Sequence, residues 1–197
     1  MTIALQTPAC VRENVALAAL TTLGIGGSAR FFATPVDAKS VIECLRFARE
    51  SGVDVWLLGG GSNVVVADAG LNGLVLQPAD GRLDIQLDKD SACVELGAGV
   101  PWDRAVAACV ALGLTGIECL SGIPGNCGAA PMQNIGAYGQ QLSDVFESAQ
   151  ILDTRTLKVT RWTATDCAFG YRDSALKRAP AGSLIVLRIT LRLRAGG

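Results

Sequence analysis

Between residues 185 and 194 apolar and polar positions alternate: Ile185, Leu187, Ile189, Leu191 and Leu193 fall on one side, Arg188, Thr190, Arg192 and Arg194 on the other. A period of two sends successive side chains to opposite faces, so this run predicts a half-buried strand. The same period appears in Leu83, Ile85 and Leu87. After a turn at Asp88-Lys89-Asp90 it returns through Cys93, Val94 and Leu96, which predicts antiparallel pairing. Residues 145–152 and 157–162 read as a further hairpin. A helical period takes over at Val41, Ile42, Leu45 and Ala48, with Asp37 placed to cap the helix and Ser51-Gly52 to stop it. A second helix is expected to start with Pro101 as its first residue. It carries Ala105, Val106, Cys109 and Val110 on one face and ends at Gly113.

Residues 30–78 read as strand, helix, strand, strand. Arg30-Phe31-Phe32-Ala33 is extended, Pro35 breaks it, and Val53–Leu58 is a short buried strand leading into a glycine-rich loop. A strand Val64–Val66 is expected after that loop, and another at Leu74–Leu76, entered from Asn72-Gly73. This is a small β-α-β unit. The turn formers Gln77-Pro78-Ala79-Asp80-Gly81 then place a boundary near residues 77–82. The fold class is α+β, in two subdomains spanning residues 1–78 and 79–197; the second is the larger and mainly antiparallel.

Composition narrows the function classes. Half of the residues are hydrophobic and 18% are charged, which describes an ordered globular chain. A net charge of −1 and few aromatics give neither the basic footprint nor the stacking platforms of a nucleic-acid binder, so no nucleic-acid partner is expected. Histidine is absent, which removes the usual metal ligand and proton shuttle, and no metal site is expected. The seven cysteines show no paired metal spacing and read as reduced, mostly buried thiols. The apolar run Val15–Leu20 is too short to cross a membrane and lacks the layout of a signal peptide, so a cytoplasmic chain without membrane contact is expected.

Three stretches could carry chemistry. The loop Gly59-Gly60-Gly61-Ser62-Asn63 lets successive N–H groups converge on an anion, although a ligand-free turn fits the loop equally well by itself. It lacks the Lys-Ser/Thr of a triphosphate-binding loop. The second stretch runs from Ser121-Gly122-Ile123-Pro124-Gly125 through Gly128 and Ala129 to Gln133-Asn134-Ile135-Gly136-Ala137-Tyr138. Such a run of small residues in apolar surroundings suits a cleft lined by backbone donors, with an ordinary surface loop as the competing reading. Two such segments in two subdomains suggest a long ligand. The third is Gly170-Tyr171-Arg172-Asp173-Ser174, where Arg172 could stabilise an enolate or carboxylate or could simply pair with Asp173. A dinucleotide-type spacing at Gly24-Ile25-Gly26-Gly27-Ser28-Ala29 precedes an extended segment instead of a helix, so it reads as a structural turn.

Taken together, Thr22–Ala29, Leu58–Asn63, Gly122–Gly139 and Tyr171-Arg172-Asp173-Ser174 resemble the UDP-N-acetylenolpyruvoylglucosamine reductase family, in the family's order. The resemblance implies the two-subdomain FAD-binding fold shared with vanillyl-alcohol-oxidase-like flavoproteins. It also implies FAD as cofactor, NADPH as hydride donor and a UDP-sugar enolpyruvyl ether as substrate. Gly59, Gly60, Gly61, Ser62 and Asn63 would hold the pyrophosphate. Ser121, Gly122, Ile123, Pro124, Gly125, Gly128, Ala129, Gln133, Asn134, Gly136, Ala137 and Tyr138 would surround the pyrophosphate and flavin. Arg172 matches the family's active-site arginine, and Tyr171 is expected at the substrate. The family's proton-donor serine and its glutamate belong to a third, substrate-binding domain, and neither Ser174 nor Ser183 matches that serine. The chain is thus expected to be the flavin-binding part of such an enzyme. The alternatives are another FAD oxidoreductase of this fold or a catalytically incomplete FAD-binding domain.

Overall fold

A computed structural model describes residues 7–196. The chain divides into two compact units, Met1–Ala79 and Asp80–Gly197.

Among the described residues the first unit is a four-stranded sheet with one α-helix. β1 (Val11–Ala16) pairs antiparallel with β2 (Ser28–Ala33); α1 (Ala38–Glu50) leads to β3 (Val55–Leu57) and then β4 (Leu71–Leu76). The sheet order is β1-β2-β4-β3, with β4 parallel to both β2 and β3. Asp37 caps α1 by accepting from the Ser40 N–H at 2.7 Å, which holds the Asp37 carboxyl below its ordinary pKa. The face carrying Val41, Cys44, Leu45, Phe47 and Ala48 is buried. Phe47 meets Phe31 of β2 edge to face, with ring centroids 5.1 Å apart.

Several expectations change in this unit. β1 carries no alternation, because most of it is exposed, and so it escapes a reading based on periodicity. β3 is shorter than expected and is not buried: it lies at the sheet's edge, with Trp56 and Leu57 exposed. Val64–Val66 is not a strand. That segment runs against the 24–27 turn instead of a sheet edge, with the Gly27 N–H donating to Ala67 O at 3.0 Å and Val65 exposed. A Cβ on Gly26 would lie 2.6 Å from Val66 Cβ, so its glycine serves close packing. A strand, β2, follows that turn.

The second unit is a six-stranded antiparallel sheet with short helices. β5 (Leu83–Leu87) and β6 (Ser91–Gly97) form the expected hairpin; α2 (Trp102–Ala111) and β7 (Leu114–Thr115) follow. A small hairpin, β8 (Gly136–Ala137) with β9 (Gln140–Gln141), precedes β10 (Phe146–Asp153) and β11 (Val159–Thr163). Two single-turn helices, α3 (Ala164–Cys167) and α4 (Ala175–Arg178), lead to the last strand, β12 (Leu184–Ala195). The order is β11-β10-β12-β6-β5, with β7 also pairing β12. β12 is central, and Ile185, Leu187, Ile189, Leu191 and Leu193 are buried as the alternation predicts, joined by Val186.

Pro101 is the N-cap of α2 and not its first helical residue, with ψ 131° outside the helical range. Val110 is exposed, because the buried stripe runs through Trp102, Ala105, Val106 and Cys109, at helical spacing from an aromatic anchor. The Trp102 ring N–H donates to Leu120 O at 3.0 Å, which satisfies the buried donor and fixes the start of the 121–138 segment.

Candidate functional site

In the first unit the candidate site is the loop that leaves the carboxyl end of β3. Leu58 continues the ladder by donating to Leu76 O, after which the chain turns through Gly59–Asn63. Two of the loop's carbonyls are held from outside it: Gln77 Nε2 donates to Gly59 O at 2.8 Å, and the Thr22 N–H donates to Gly61 O at 3.0 Å. The N–H groups of Gly59, Gly60, Gly61, Ser62 and Asn63 have no acceptor among the described residues. Carbonyls tied back and N–H groups left unpaired are what a backbone anion site requires, and Gly60, Ser62 and Asn63 are exposed. Gln77, at the end of the sheet and outside any motif, is a contributor that sequence reasoning missed.

Gly61 has a φ of +71°, and a Cβ there would lie 2.0 Å from Leu20 O. Left-handed backbone alone costs a non-glycine residue about 1–2 kcal/mol, and the carbonyl cannot yield without dragging the 20–22 turn. Gly61→Ala is therefore expected to destabilise the chain by more than that. Gly122→Ala is its control, because Gly122 has a φ of +76° but open space around its Cα. Urea denaturation of the two variants checks the ranking, and equal losses would remove the special role of the Gly61 contact.

In the second unit the 121–138 segment is built differently from the expected row of free donors. Gly122 N–H and Ser121 Oγ both donate to Asp103 Oδ1, at 2.7 and 2.8 Å. These bonds hold the Asp103 carboxyl below its ordinary pKa, the Gly122 contact contributing most. Asp103 lies in the first turn of α2, and only its place there could have flagged it. Cys127 N–H donates to Val100 O, Gly128 to Ala98 O, and Ala129, Ala130, Met132 and Ile135 to carbonyls within the segment. The N–H groups of Gly125, Asn126 and Gln133 donate to nothing among the described residues. Gly128 is required by packing, since a Cβ there would lie 2.6 Å from Ala98 Cβ. Ile123 and Gly125 are partly buried, while Pro124, Ala129 and Gln133 are exposed. The small residues thus let the backbone fold on itself, and most of its donors are spent internally.

The segment ends in a tight turn, which the structure brings together with a second one further along the chain. The first joins β8 to β9 through Tyr138 and Gly139, with φ of +49° and +85°. A two-residue hairpin of this hand favours Asn-Gly, yet here a tyrosine occupies the strained first position and its side chain is 91% exposed. The second is closed by Gly170 and Asp173, whose N–H groups each donate to the other's carbonyl, at 3.0 and 3.3 Å. Its tip presents Tyr171, also 91% exposed, and Arg172, with a φ of +52°. Arg172 Nη2 donates across to Gly136 O at 2.8 Å, tying the second tip to the base of the first.

Asn134 lies beneath both turns and is 3% exposed. Its Oδ1 accepts from the Ser143 N–H at 2.9 Å. Its Nδ2 lies within hydrogen-bond distance of Gly170 O, Gln141 Oε1 and Ser143 Oγ. The side chain expected at the cofactor is fully engaged inside the protein and holds the two turns together. Asp173 is not the partner of Arg172: it pairs with Arg178. Lys177 Nζ donates to Arg172 O at 2.8 Å. Among the described residues the Arg172 guanidinium has no carboxylate partner, unlike Arg188, which pairs with Asp80 at 2.7 Å, and Arg192, which pairs with Glu147 at 3.0 Å. Ser174 is fully buried, donates to Met132 O at 2.7 Å and caps α4.

Among the described residues no cluster of three or more metal-ligating side chains occurs, and no helix is long and apolar enough to cross a membrane.

A glycine loop whose N–H groups are unpaired among the described residues, at the carboxyl end of a parallel strand in an α+β chain of two units, suits a domain for a large phosphorylated cofactor. Residues 29–160 match the FAD binding domain family, and the chain belongs to that family. FAD is its cofactor, and the unpaired N–H row of Gly59–Asn63 fits that cofactor's pyrophosphate. The chain is 42% identical to the UDP-N-acetylenolpyruvoylglucosamine reductase of Nocardia farcinica over 187 residues, 94% of this chain and 47% of that protein. It is likewise 42% identical to the reductase of that name from Pseudomonas syringae pv. tomato, over 93% of this chain and 54% of that protein. The chain therefore spans about half the length of these curated relatives. The crystal structure of the reductase from Thermus caldophilus superposes with a TM-score of 0.76 at 28% identity, covering 95% of this chain and 64% of that one. The 6-hydroxy-D-nicotine oxidase of Arthrobacter nicotinovorans, at 19% identity and a TM-score of 0.68, shares the fold.

Proposed function

We propose that this chain is the FAD-holding part of a UDP-N-acetylenolpyruvoylglucosamine reductase, in which NADPH is the hydride donor and a UDP-sugar enolpyruvyl ether is reduced to the lactyl ether. The observation that carries the reading is the Arg172 turn: a strained, exposed tip whose guanidinium is aimed by a backbone carbonyl and left without a carboxylate partner among the described residues. Identity of 42% along nearly the whole chain to reductases of that name supports the same assignment.

When bound, FAD supplies the two-electron relay between the nicotinamide and the enolpyruvyl carbon. The chain's residues divide the remaining work. Gly59, Gly60, Gly61, Ser62 and Asn63 would present their N–H groups to the pyrophosphate, where fixed dipoles need no reorganisation. The N–H groups of Gly125, Asn126 and Gln133 are the donors that the second unit has to offer. Ser121 and Gly122 would keep that segment in place through Asp103, which already accepts from the Ser121 hydroxyl and the Gly122 N–H. Tyr138 and Tyr171 would supply exposed aromatic faces, Tyr138 to the cofactor and Tyr171 to the substrate. Arg172 would stabilise the negative charge that develops on the substrate carboxylate side after hydride arrives at the neighbouring carbon. Ser174 is not the proton donor, because its hydroxyl is buried and committed to Met132 O.

The purified chain, loaded with FAD and freed of excess by gel filtration, is expected to keep the flavin absorbance bands and to be bleached by NADPH without oxygen. A colourless chain would overturn cofactor binding. Retained flavin that NADPH leaves oxidised would overturn the donor assignment alone.

A further inference from the structure

A second site lies in the first unit, away from the glycine loop's chemistry. Cys10 and Cys44 are 34 residues apart in sequence, and their Sγ atoms are 3.4 Å apart in space. Cys44 is on the buried face of α1, between Val41 and Leu45. Cys10 sits in the turn that immediately precedes β1 and is partly exposed. Burial first, and then the Cys10 thiol beside it, push the Cys44 thiol well above its ordinary pKa. Cys44 is thus protected and protonated, while its neighbour meets solvent. Cys109 and Cys127 also lie near one another, but both are buried in the core of the second unit, so neither offers a solvent-facing thiol. Cys109, Cys127 and Cys167 are buried, which raises their thiols to about 11, 12 and 11.

We propose that Cys10 and Cys44 form a reversible oxidation site that takes a hydroperoxide and closes to a disulfide. The Cys10 sulfur attacks the peroxide: an S–O bond forms, the O–O bond breaks, and the first water leaves, giving the sulfenic acid. The Cys44 sulfur then attacks the Cys10 sulfur: the S–S bond forms, the S–O bond breaks, and the departing hydroxide takes the Cys44 proton as the second water. Two thiols lose two electrons and two protons, and hydrogen peroxide is reduced to two waters. From van der Waals contact the sulfurs need to approach by about 1.4 Å to reach bonding distance, a movement that Cys10 can supply from its turn. The bond would fasten the start of β1 to α1, in the unit that carries the glycine loop. By removing freedom from the unfolded chain it would stabilise that unit.

The test is direct on the chain itself. Reduced protein is treated with equimolar hydrogen peroxide, denatured in an alkylating agent, weighed intact and mapped by peptides. The expected result is a chain lighter by two hydrogens that carries five alkyl groups where the reduced protein carries seven, a Cys10–Cys44 cross-linked peptide reversed by dithiothreitol, and a higher melting temperature for the oxidised form. Cys10→Ser and Cys44→Ala should each abolish all three, the first of them without touching the buried face of α1. Uptake of oxygen without the cross-link, a cross-link between other cysteines, or an unchanged mass overturns the site. A cross-linked form that melts no higher overturns its stabilising role. None of these readouts depends on which reaction the flavin serves.

Discussion

Replacing Arg172 by Ala, in a protein of the relatives' full length, is expected to lower turnover by about 10²–10³ while FAD content stays unchanged. That is the loss typical of removing one group aimed at charge that develops in the transition state. The prediction follows from how the guanidinium is held. One of its nitrogens donates to Gly136 O, which aims the group without neutralising it, and the remaining N–H groups stay available. An arginine paired with a carboxylate has already spent its field, as Arg178 has on Asp173 and Arg188 on Asp80. The left-handed backbone at residue 172 is a standing cost that the closed Gly170–Asp173 turn and the Lys177 contact keep in place. Because the charge matters most after hydride transfer begins, the rate constant should fall by a larger factor than KM rises. Arg172→Lys keeps the charge and loses the planar fork, and should fall between wild type and Ala. Steady-state kinetics with the enolpyruvyl sugar nucleotide decides it: unchanged turnover sinks the assignment, and a rise in KM alone reduces Arg172 to a binding residue.

Much of the fold was legible because burial writes a period into the sequence. β12 is buried on one face and its alternation is nearly perfect; α1 has both a periodic face and the Asp37 cap. Where burial does not alternate, the reading fails for a physical reason. β1 is largely exposed, and β3 is an edge strand carrying Trp56 and Leu57 outward, so its apolar letters read as a buried strand. Val64–Val66 has β-branched residues but lies along the 24–27 turn and joins no strand. The site was legible as a set of positions more than as a set of roles. Glycine content marks both loops, yet composition cannot tell a row of free donors from a backbone folded on itself. Gly59–Asn63 is the first kind and much of 121–135 the second. Asp103, Gln77 and Lys177 were missed because each acts through side-chain hydrogen bonds that no local pattern announces.

Asn134 should prove to be the residue on which the second half of the site depends. Truncation to Ala removes the shared partner of Gly170 O, Gln141 Oε1, Ser143 Oγ and the Ser143 N–H; Gly170 O keeps the Asp173 N–H, while a polar group left with no partner and shielded from water costs about 1–3 kcal/mol. The backbone adds a second cost, since residue 134 has a φ of +44°, a conformation that asparagine tolerates and alanine resists. Two further variants separate these contributions. Asn134→Gly keeps the left-handed backbone and removes only the amide, so the difference between Ala and Gly reports the strain. Asn134→Asp keeps the acceptor for the Ser143 N–H but turns a second oxygen toward Gly170 O and Gln141 Oε1, which is repulsive unless the carboxyl is protonated. Asp should therefore be the worst of the three at neutral pH and recover partly in acid, because the repulsion falls as the carboxyl takes up its proton. Urea denaturation gives the ranking, and tryptic cleavage after Arg172 reports whether the turn has come loose. Wild-type rates of cleavage in a destabilised Asn134→Gly chain would mean that the amide supports the core without holding the turn. Faster cleavage in Gly and Asp alike, with FAD still retained, would place Asn134 as the tie that keeps Arg172 aimed.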